Sequence, residues 1–318
     1  MKRASTLLSL LLLFSLHASA QTPKTAEDYN NRGLERQARG DLDGAIEDFT
    51  VAISRTGQPQ HLAAFYFNRG NARTQKNDWD GAVADYTKAI EMAPSDPDGY
   101  YNRGVVWMNK GDYDHAIADF SKALDIAPRS PLAYNFRGNA RRAKGDVDGA
   151  LADYTKAIEQ SPRYFEAFYN RGAARQAKND FDGAIEDYSR AIALAPQFSD
   201  AFVNRGLAKQ SKKDLEGAIA DFSAALTLKP DDAGTYFARA TARQEAKHFR
   251  SALADYSKVI ELDPTNAQAF ANRAVIEMLQ GNKAQAQRDF EQAFKIDRGL
   301  KAQYKQFIEG YRSRPDHE

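Results

Sequence analysis

The chain has 318 residues, with 44 lysines and arginines against 43 aspartates and glutamates, and it has no cysteine. The near-zero charge balance argues against nucleic-acid-binding proteins and polybasic membrane-surface proteins, which need a basic surplus. The absence of cysteine excludes a disulfide framework, a thiolate metal site and a cysteine nucleophile.

Residues 1–20 have the three-part pattern of a secretory signal peptide. Lys2-Arg3 precedes an apolar stretch at residues 7–16, and Ala18-Ser19-Ala20 supplies the small residues of a cleavage site. The apolar stretch is shorter than the roughly 20 residues that a membrane-spanning helix needs. We therefore predict an exported protein, periplasmic or extracellular, with no membrane insertion after cleavage before Gln21. The alternative is an uncleaved anchor.

After a short lead at residues 21–25, one unit is repeated eight times. An arginine followed by glycine or alanine recurs after 37 residues and then every 34, and an aspartate followed by an aromatic residue recurs in step. A fixed period of this length indicates stacked helical repeats rather than globular domains. The predicted repeats are 26–62, 63–96, 97–130, 131–164, 165–198, 199–232, 233–266 and 267–299.

Each repeat is predicted to contain two helices. In the third repeat, Tyr100, Gly104 and Trp107 recur at helical spacing, and Gly111 can adopt the left-handed backbone of a helix end. Asp112 then stands where it can cap the second helix. The unit is therefore a helical hairpin with a turn near its position 15.

The pattern of small and aromatic residues resembles the tetratricopeptide repeat. Counted from the first residue of each repeat, position 4 is aromatic, position 8 is usually Gly, position 20 is Ala, position 24 is Phe or Tyr, and position 32 is usually Pro. The resemblance implies an all-α fold, an α-solenoid that forms a right-handed superhelix of eight helix-turn-helix repeats, in an exported, bacterial-type protein. The first repeat, with its insertion around Gly57-Gln58-Pro59, and the last two repeats depart from the pattern.

Residues 300–313 place Leu300, Tyr304, Phe307 and Ile308 on one face of a last helix. We predict that this helix caps the open apolar side of the eighth repeat. The alternative is a helix that binds a partner or a membrane surface. Residues 314–318 are predicted to be a disordered tail.

The sequence offers no sign of catalysis. Pairs such as Asp41 and Asp43 resemble a fragment of a calcium loop, but the following Gly comes too early, so we interpret the first aspartate as a helix cap. No histidines are spaced for zinc, and no nucleotide or nucleophile motif is present. We predict no enzyme activity, no cofactor, no metal and no nucleic acid partner. Pentatricopeptide arrays, which bind RNA, differ in period and charge.

The resemblance places a peptide-binding groove along the first helix of each repeat. At position 6 the chain has amides that can both donate to and accept from a peptide backbone, and at position 5 it has aromatic rings. These candidate groove residues are Asn31, Asn68, Asn102, Asn170, Asn204, Asn272, Phe67, Tyr101, Tyr169 and Phe237. The asparagines either contact a ligand or brace neighbouring helices, and the sequence leaves both possibilities open.

Position 7 is Arg and position 23 is Asp in every repeat. Both positions lie eight residues from the turn, so they face one another in an antiparallel hairpin. We predict structural ion pairs, with a row of ligand-binding arginines as the alternative. The pairs singled out are Arg32 with Asp48, Arg103 with Asp119, Arg171 with Asp187, and Arg205 with Asp221.

These observations predict a non-enzymatic scaffold that holds an extended segment of a protein or peptide partner in the groove. The alternatives are a structural subunit of a cell-envelope or secretion assembly and an unrecognised envelope enzyme. Position 5 varies between repeats, which favours an adaptor over a uniform spacer.

Overall fold

A computed structural model describes residues 23–312, which form 17 helices and no strand. The predicted signal peptide and the predicted tail at 314–318 lie outside the described residues. The all-α repeat solenoid expected from the sequence is confirmed. The helices are α1 (Ala26–Ala38), α2 (Leu42–Arg55), α3 (Pro59–Gln75), α4 (Trp79–Met92), α5 (Pro97–Lys110), α6 (Tyr113–Ile126), α7 (Pro131–Ala143), α8 (Val147–Gln160), α9 (Phe165–Ala177), α10 (Phe181–Leu194), α11 (Ser199–Ser211), α12 (Leu215–Leu228), α13 (Ala233–Glu245), α14 (Phe249–Leu262), α15 (Ala267–Leu279), α16 (Lys283–Ile296) and α17 (Gly299–Arg312).

The chain divides into two compact units between Val106 and Trp107, a boundary inside α5. In the N-terminal unit, α1 packs on α2, α2 on α3 and α3 on α4, and the first helices α1 and α3 also touch. In the C-terminal unit, each helix from α6 to α17 packs on the next one along the chain. The first helices α7, α9, α11 and α13 touch in sequence, as expected for stacked hairpins.

The insertion in the first repeat lengthens a helix instead of forming a loop. Helix α3 has 17 residues, whereas most of the other first helices have 13, and it begins at Pro59. The boundary expected between residues 62 and 63 therefore falls inside α3. Three extra residues amount to nearly one helical turn of 3.6 residues, so the helix absorbs them without disturbing the hairpin that follows.

Every turn between the two helices of a repeat has a left-handed residue at position 15. Four of these residues are glycines, but two are asparagines and two are lysines. They are Gly40, Asn77, Gly111, Gly145, Asn179, Lys213, Lys247 and Gly281, all with φ between 61° and 90°. A residue with a Cβ is disfavoured in this region, and lysine lacks the short side chain that helps asparagine there. The two lysine turns therefore store strain that the glycine turns avoid.

A capping aspartate starts the second helix of the first six repeats. Its carboxylate accepts a hydrogen bond from the backbone N–H three residues later, as between Asp41 and Gly44 or between Asp180 and Gly183. The pattern that resembles a calcium loop is thus a series of N-caps, which stabilise the exposed helix start. His248 and Asn282 hold this position in the last two repeats without a side-chain cap.

The core repeats around the ring at position 24. The rings of Tyr154 and Phe222 are fully buried, and each packs against the Ala at position 20 of its own repeat and the Ala at position 10 of the next. A Cβ added to Gly138 would lie 2.7 Å from the ring of Tyr154. The missing side chain at Gly138 therefore allows the two helices of this repeat to approach this closely.

Helix α17 covers the last repeat. Leu300 is buried, and Tyr304, Phe307 and Ile308 pack against the cluster around Phe290. The ring centroids of Phe290 and Tyr304 lie 5.6 Å apart. This is the contact that a capping helix makes, and the large apolar side chains Leu300, Tyr304, Phe307 and Ile308 of α17 are engaged in it.

Candidate functional site

The arginine at position 7 donates two hydrogen bonds to the aspartate at position 23. In the fifth repeat, Arg171 Nε lies 3.0 Å from Asp187 Oδ2, and Arg171 Nη2 lies 2.7 Å from Asp187 Oδ1. The Arg32–Asp48 and Arg205–Asp221 pairs have the same geometry. The other pairs are Arg69–Asp85, Arg137–Asp153, Arg239–Asp255 and Arg273–Asp289. We call this series the arginine ladder.

The same arginine also joins consecutive repeats. Arg171 Nη1 donates to Thr155 Oγ1 at 3.2 Å, and Arg205 Nη1 donates to Ser189 Oγ at 2.9 Å. These hydroxyls stand at position 25 of the preceding repeat. The guanidinium lies over the aromatic ring at position 4 of its own helix, 5.8 Å away for Arg171 over Phe168. The guanidinium groups of these ladder arginines therefore have hydrogen-bonding partners within the fold.

Arg103 and Asp119 belong to different compact units. Arg103 donates to Thr87 at 2.9 Å and lies 5.9 Å from the ring centroid of Tyr100. Asp119 is 5% exposed, like the other ladder aspartates. Both residues therefore occupy the same kind of local environment as their counterparts.

A second cation reaches the buried aspartate in six repeats, and sequence reasoning missed it. It stands at position 11, one helical turn after the first arginine. Arg175 Nη1 lies 2.9 Å from Asp187 Oδ2, and Lys209 Nζ lies 2.8 Å from Asp221 Oδ2. The other second cations are Arg36, Arg73, Arg141 and Arg243. The available signal was a basic residue four positions after the ladder arginine, a spacing that puts both on one helix face.

Repeat 3 replaces this second cation with a ring stack. Trp107 holds position 11, and His115 holds position 19, where most repeats have Gly. The two ring centroids lie 4.9 Å apart, and the histidine Nδ1 is 2.8 Å from Asp112 Oδ2. Lys110 Nζ lies 5.1 Å from the indole ring. Trp107 and His115, the two residues that depart from the repeat pattern, thus contact each other within one hairpin.

The position-6 amides contact the neighbouring repeat. Asn170 Nδ2 donates to Asn135 Oδ1 at 2.9 Å, and Asn204 Nδ2 donates to the Tyr169 hydroxyl at 2.8 Å. Both partners stand at position 5 of the preceding repeat. In the N-terminal unit, Asn68 likewise donates to Asn30. Bracing, one of the two possibilities left open by the sequence, is therefore present in the structure for these amides.

The remaining amides behave differently from one another. Asn102 Nδ2 donates to the carbonyl oxygen of Asp98 in its own helix, at 2.9 Å. Asn272 donates to the Tyr256 hydroxyl and accepts from the Tyr304 hydroxyl of α17. Asn31 is exposed. The amides therefore share a repeat position but differ in their interactions, and Phe136 and Ala238 interrupt the row in sequence.

The position-5 rings are half-buried and stand against the ring at position 24 of their own repeat. The centroids of Phe67 and Tyr86 lie 5.7 Å apart, as do those of Phe237 and Tyr256, and the Tyr169 centroid lies 5.8 Å from that of Tyr188. Burial raises the pKa of Tyr101 to about 12. Each of these rings therefore presents only part of its surface to solvent.

The residue at position 24 correlates with the polarity of its neighbours on the first helix of the same repeat. Where position 24 is Tyr, its hydroxyl donates to a side-chain oxygen, as from Tyr154 to Asn139 at 2.8 Å and from Tyr188 to Gln176 at 3.0 Å. Where it is Phe, position 9 is Leu or Val instead, namely Leu34, Val105, Leu207 and Val275. Burial raises the pKa of Tyr86 and Tyr154 to about 12, because the phenolate would lose its hydration.

We define the first-helix face as the side chains at positions 5, 6, 9 and 12 of the repeats. It carries amides, hydroxyls and partly exposed rings, and its composition changes from one repeat to the next. Within residues 23–312, no group of three or more His, Asp or Glu side chains is arranged to hold a metal ion. None of the 17 described helices combines the length and apolar character that crossing a bilayer requires.

Comparisons with known families match most of the repeat region. A family described as "TPR repeat" matches residues 70–111 and 138–179. Three families described as "Tetratricopeptide repeat" match residues 97–130 and 165–198, residues 199–232, and residues 237–299. None of the curated proteins matches the chain.

Three solved structures illustrate the similarity. MamA is 26% identical over 55% of this chain and 96% of its own, with a TM-score of 0.50. YrrB, described as "a TPR protein with an unusual peptide-binding site", is 26% identical over 63% of this chain and 97% of its own, also with a TM-score of 0.50. The C-terminal part of a TPR repeat-containing protein from Cytophaga hutchinsonii is 20% identical over 73% and 95%, with a TM-score of 0.63, and shows the fold alone.

The repeat signature, the hairpin architecture and these matches agree. The chain belongs to the tetratricopeptide repeat family, whose members are generally non-enzymatic scaffolds for protein interaction.

Proposed function

We propose that the protein is an adaptor that holds an extended segment of a partner protein along the first-helix face. The observation that carries this proposal is the contrast between that face and the rest of the repeat. The arginine ladder and the core repeat from one hairpin to the next, whereas positions 5, 9 and 12 change residue between repeats, and most side chains of the first-helix face remain partly exposed.

The chemistry of the face suits a peptide. The Nδ2 atoms of Asn170 and Asn204 are used in bracing, but no described residue donates to their Oδ1 atoms. These oxygens are free to accept from peptide N–H groups, and the half-buried Tyr169 directly precedes Asn170 in sequence and accepts the hydrogen bond of Asn204. Aromatic rings that already have most of their surface buried contribute contact area at low entropic cost. The similarity to YrrB, whose description mentions a peptide-binding site, supports the same class of ligand.

A display library of random 12-residue peptides tests the proposal directly. We expect peptides that bind the chain with micromolar affinity, and we expect Tyr169→Ala combined with Asn204→Ala to weaken them at least tenfold. Lys156→Ala is the matched control, because Lys156 pairs with Glu159 on the exposed side of a second helix. Selected peptides that bind the double variant as tightly as the original chain would place the ligand elsewhere and overturn the proposal.

We also propose that residues 1–20 direct export and that the adaptor works in the periplasm or outside the cell. The support is the basic start, the short apolar stretch and the small residues before Gln21. N-terminal sequencing of the protein from its producing cell tests this. A retained Met1 in a membrane fraction contradicts it.

A further inference from the structure

A pocket opens on the first helix of the second repeat. It has a volume of about 320 Å³ and is bounded by Ala63, Phe67, Asn68, Ile90, Asp96 and Gly99, all in the N-terminal unit. We call it the repeat-2 pocket. Its size is at the lower end of the roughly 300–1,000 Å³ of small-molecule sites, so it fits one large side chain.

The equivalent space in the fifth repeat is filled by the protein itself. Phe165 stands where repeat 2 has Ala63, and Phe198 stands where repeat 2 has Asp96. The ring centroids of Phe165 and Phe198 lie 5.3 Å apart, and that of Phe198 lies 4.8 Å from Tyr169. Repeat 2 thus has a methyl group and a carboxylate at the two positions where repeat 5 has phenylalanine rings.

The pocket combines apolar walls with one acidic lining residue, Asp96. Phe67 and Ile90 provide the apolar surface, and Asp96 is exposed. Asp98 is also exposed, and its N–H donates to Asp96 Oδ1 at 3.0 Å. Neither carboxylate forms an ion pair with any residue in the described part of the chain, and no cationic side chain lines the pocket. A ligand group that complements the pocket would therefore carry a positive charge at the end of an apolar chain.

We propose that the repeat-2 pocket binds an arginine side chain of the partner segment. The three methylene groups of arginine pack against Ile90, and the planar guanidinium stacks on Phe67 while it donates to Asp96. No described residue donates to Asn68 Oδ1, so this oxygen is a second acceptor for the same group. The proposal deepens the proposed function and rests on it for the nature of the partner.

The test uses N-acetyl-arginine methylamide as the probe and N-acetyl-citrulline methylamide as its neutral counterpart of the same shape. Each is titrated into the isotope-labelled full chain and followed by NMR. We expect saturable shifts at the amides of Phe67, Asn68 and Gly99 with a millimolar Kd, and at least tenfold weaker binding of the citrulline compound. Equal binding of the two compounds, or no saturable shift, overturns the proposal.

Two variants locate the site. Ala63→Phe fills the pocket as Phe165 does in repeat 5 and should abolish the shifts, whereas Asp96→Asn keeps the volume and should weaken binding at least fivefold. Glu47→Gln is the matched control, because Glu47 is an exposed carboxylate of the same unit that forms no ion pair with any residue between 23 and 312. If either pocket variant binds the probe as the original chain does, the assignment is wrong.

The peptide library separates this proposal from the proposed function. Peptides that bind the first-helix face without a preferred arginine leave the adaptor function intact and refute the arginine pocket. Conversely, if the arginine probe binds as expected but no peptide is selected, the pocket stands and the peptide-binding function fails.

Discussion

Positions 5 and 6 and position 7 are neighbours on the same helices, yet their side chains behave in opposite ways. Position 7 is always Arg, and its partners recur in kind, as with Asp187 and Thr155 for Arg171. Position 5 changes residue from one repeat to the next, whereas position 6 is Asn in six of the eight repeats and changes partner, so that Asn204 meets a hydroxyl while Asn170 meets an amide. The constant contacts define the repeat, and the neighbouring positions are free to vary because the hairpin does not depend on them.

Removing both cations from one buried aspartate should have the largest effect. Asp187 is 1% exposed and is held by Arg171 and Arg175. The double change Arg171→Ala with Arg175→Ala should lower the free energy of unfolding by about 3–5 kcal/mol, because it leaves a buried charge unpaired. Each single change should cost less than half of this, since the other cation remains. Urea melts followed by circular dichroism measure the difference.

The control for the ladder is an exposed pair between repeats, Lys178 with Asp148. Lys178→Ala should cost less than about 1 kcal/mol, because water screens this pair. Strictly additive single and double changes at Arg171 and Arg175 would mean that the two cations do not share one buried charge. The ladder would then not be the constant element of the repeat.

Alkaline pH should lower the free energy of unfolding of the repeats that have tyrosine at position 24. Burial raises the pKa of Tyr86 and Tyr154 from 10.0 to about 12, so the folded chain holds these protons more tightly than the unfolded chain does. The resulting stability is complete below pH 10 and is lost as the pH rises to about 12, at about 2–3 kcal/mol for each tyrosine. Denaturant melts between pH 9 and pH 12 check this.

A matched variant converts one tyrosine repeat into a phenylalanine repeat. Tyr154→Phe with Asn139→Leu copies the Phe222 and Leu207 combination of repeat 6. We expect this variant to keep about the stability of the original chain at pH 8 and to lose less at pH 12. An unchanged pH dependence would show that the hydroxyl of Tyr154 is not protected by the fold.

The left-handed turn residues should give a smaller effect of about 1 kcal/mol. Lys247 has φ 63° in a position where Gly145 has φ 90°. Lys247→Gly should stabilise the chain by about 1 kcal/mol, and Gly145→Lys should destabilise it by a similar amount, because a Cβ is disfavoured there. Lys247→Asn should give a free energy of unfolding between those of the original chain and Lys247→Gly, because asparagine occupies the equivalent turns at Asn77 and Asn179. Thermal melts that rank the three variants in another order contradict this explanation.

The first-helix face should contribute least to stability. Asn204→Ala removes the hydrogen bond to Tyr169, but both side chains are partly exposed, so water can replace it. We expect a loss below about 1 kcal/mol in urea melts. A loss as large as that of the ladder double variant would show that the position-6 amides hold the repeats together. The distinction between constant and variable positions would then fail.

The sequence correctly predicted those contacts of the site whose two residues are equally many positions before and after a turn. Arg171 and Asp187 are equally far from Asn179, so an antiparallel hairpin brings them together. The second cation at Arg175 and the hydroxyl of Thr155 were missed. Thr155 belongs to the preceding repeat, and no intrahelical spacing reveals how far one hairpin is displaced along the next.

For the same reason, the sequence could not decide whether the position-6 asparagines contact a ligand or brace a neighbouring repeat. An amide at position 6 has the same sequence signature whether it binds a ligand or a neighbour. The stacking offset between repeats puts Asn170 beside Asn135, and this offset results from the packing of the position-24 rings against the next repeat. The repeat-2 pocket likewise required the structure, because Ala63, Ile90 and Gly99 lie on three different helices.

The amino-acid sequence was enough to predict the helical repeat, its period, its caps and the pairing of position 7 with position 23 in each hairpin. These depend on local spacing and on turns that reverse the chain after a known number of residues. The contacts across repeats, the bracing by the position-6 amides and the repeat-2 pocket became visible only in the folded structure. Those contacts depend on the displacement between hairpins, which results from close packing of rings and small residues over distances that no sequence interval specifies.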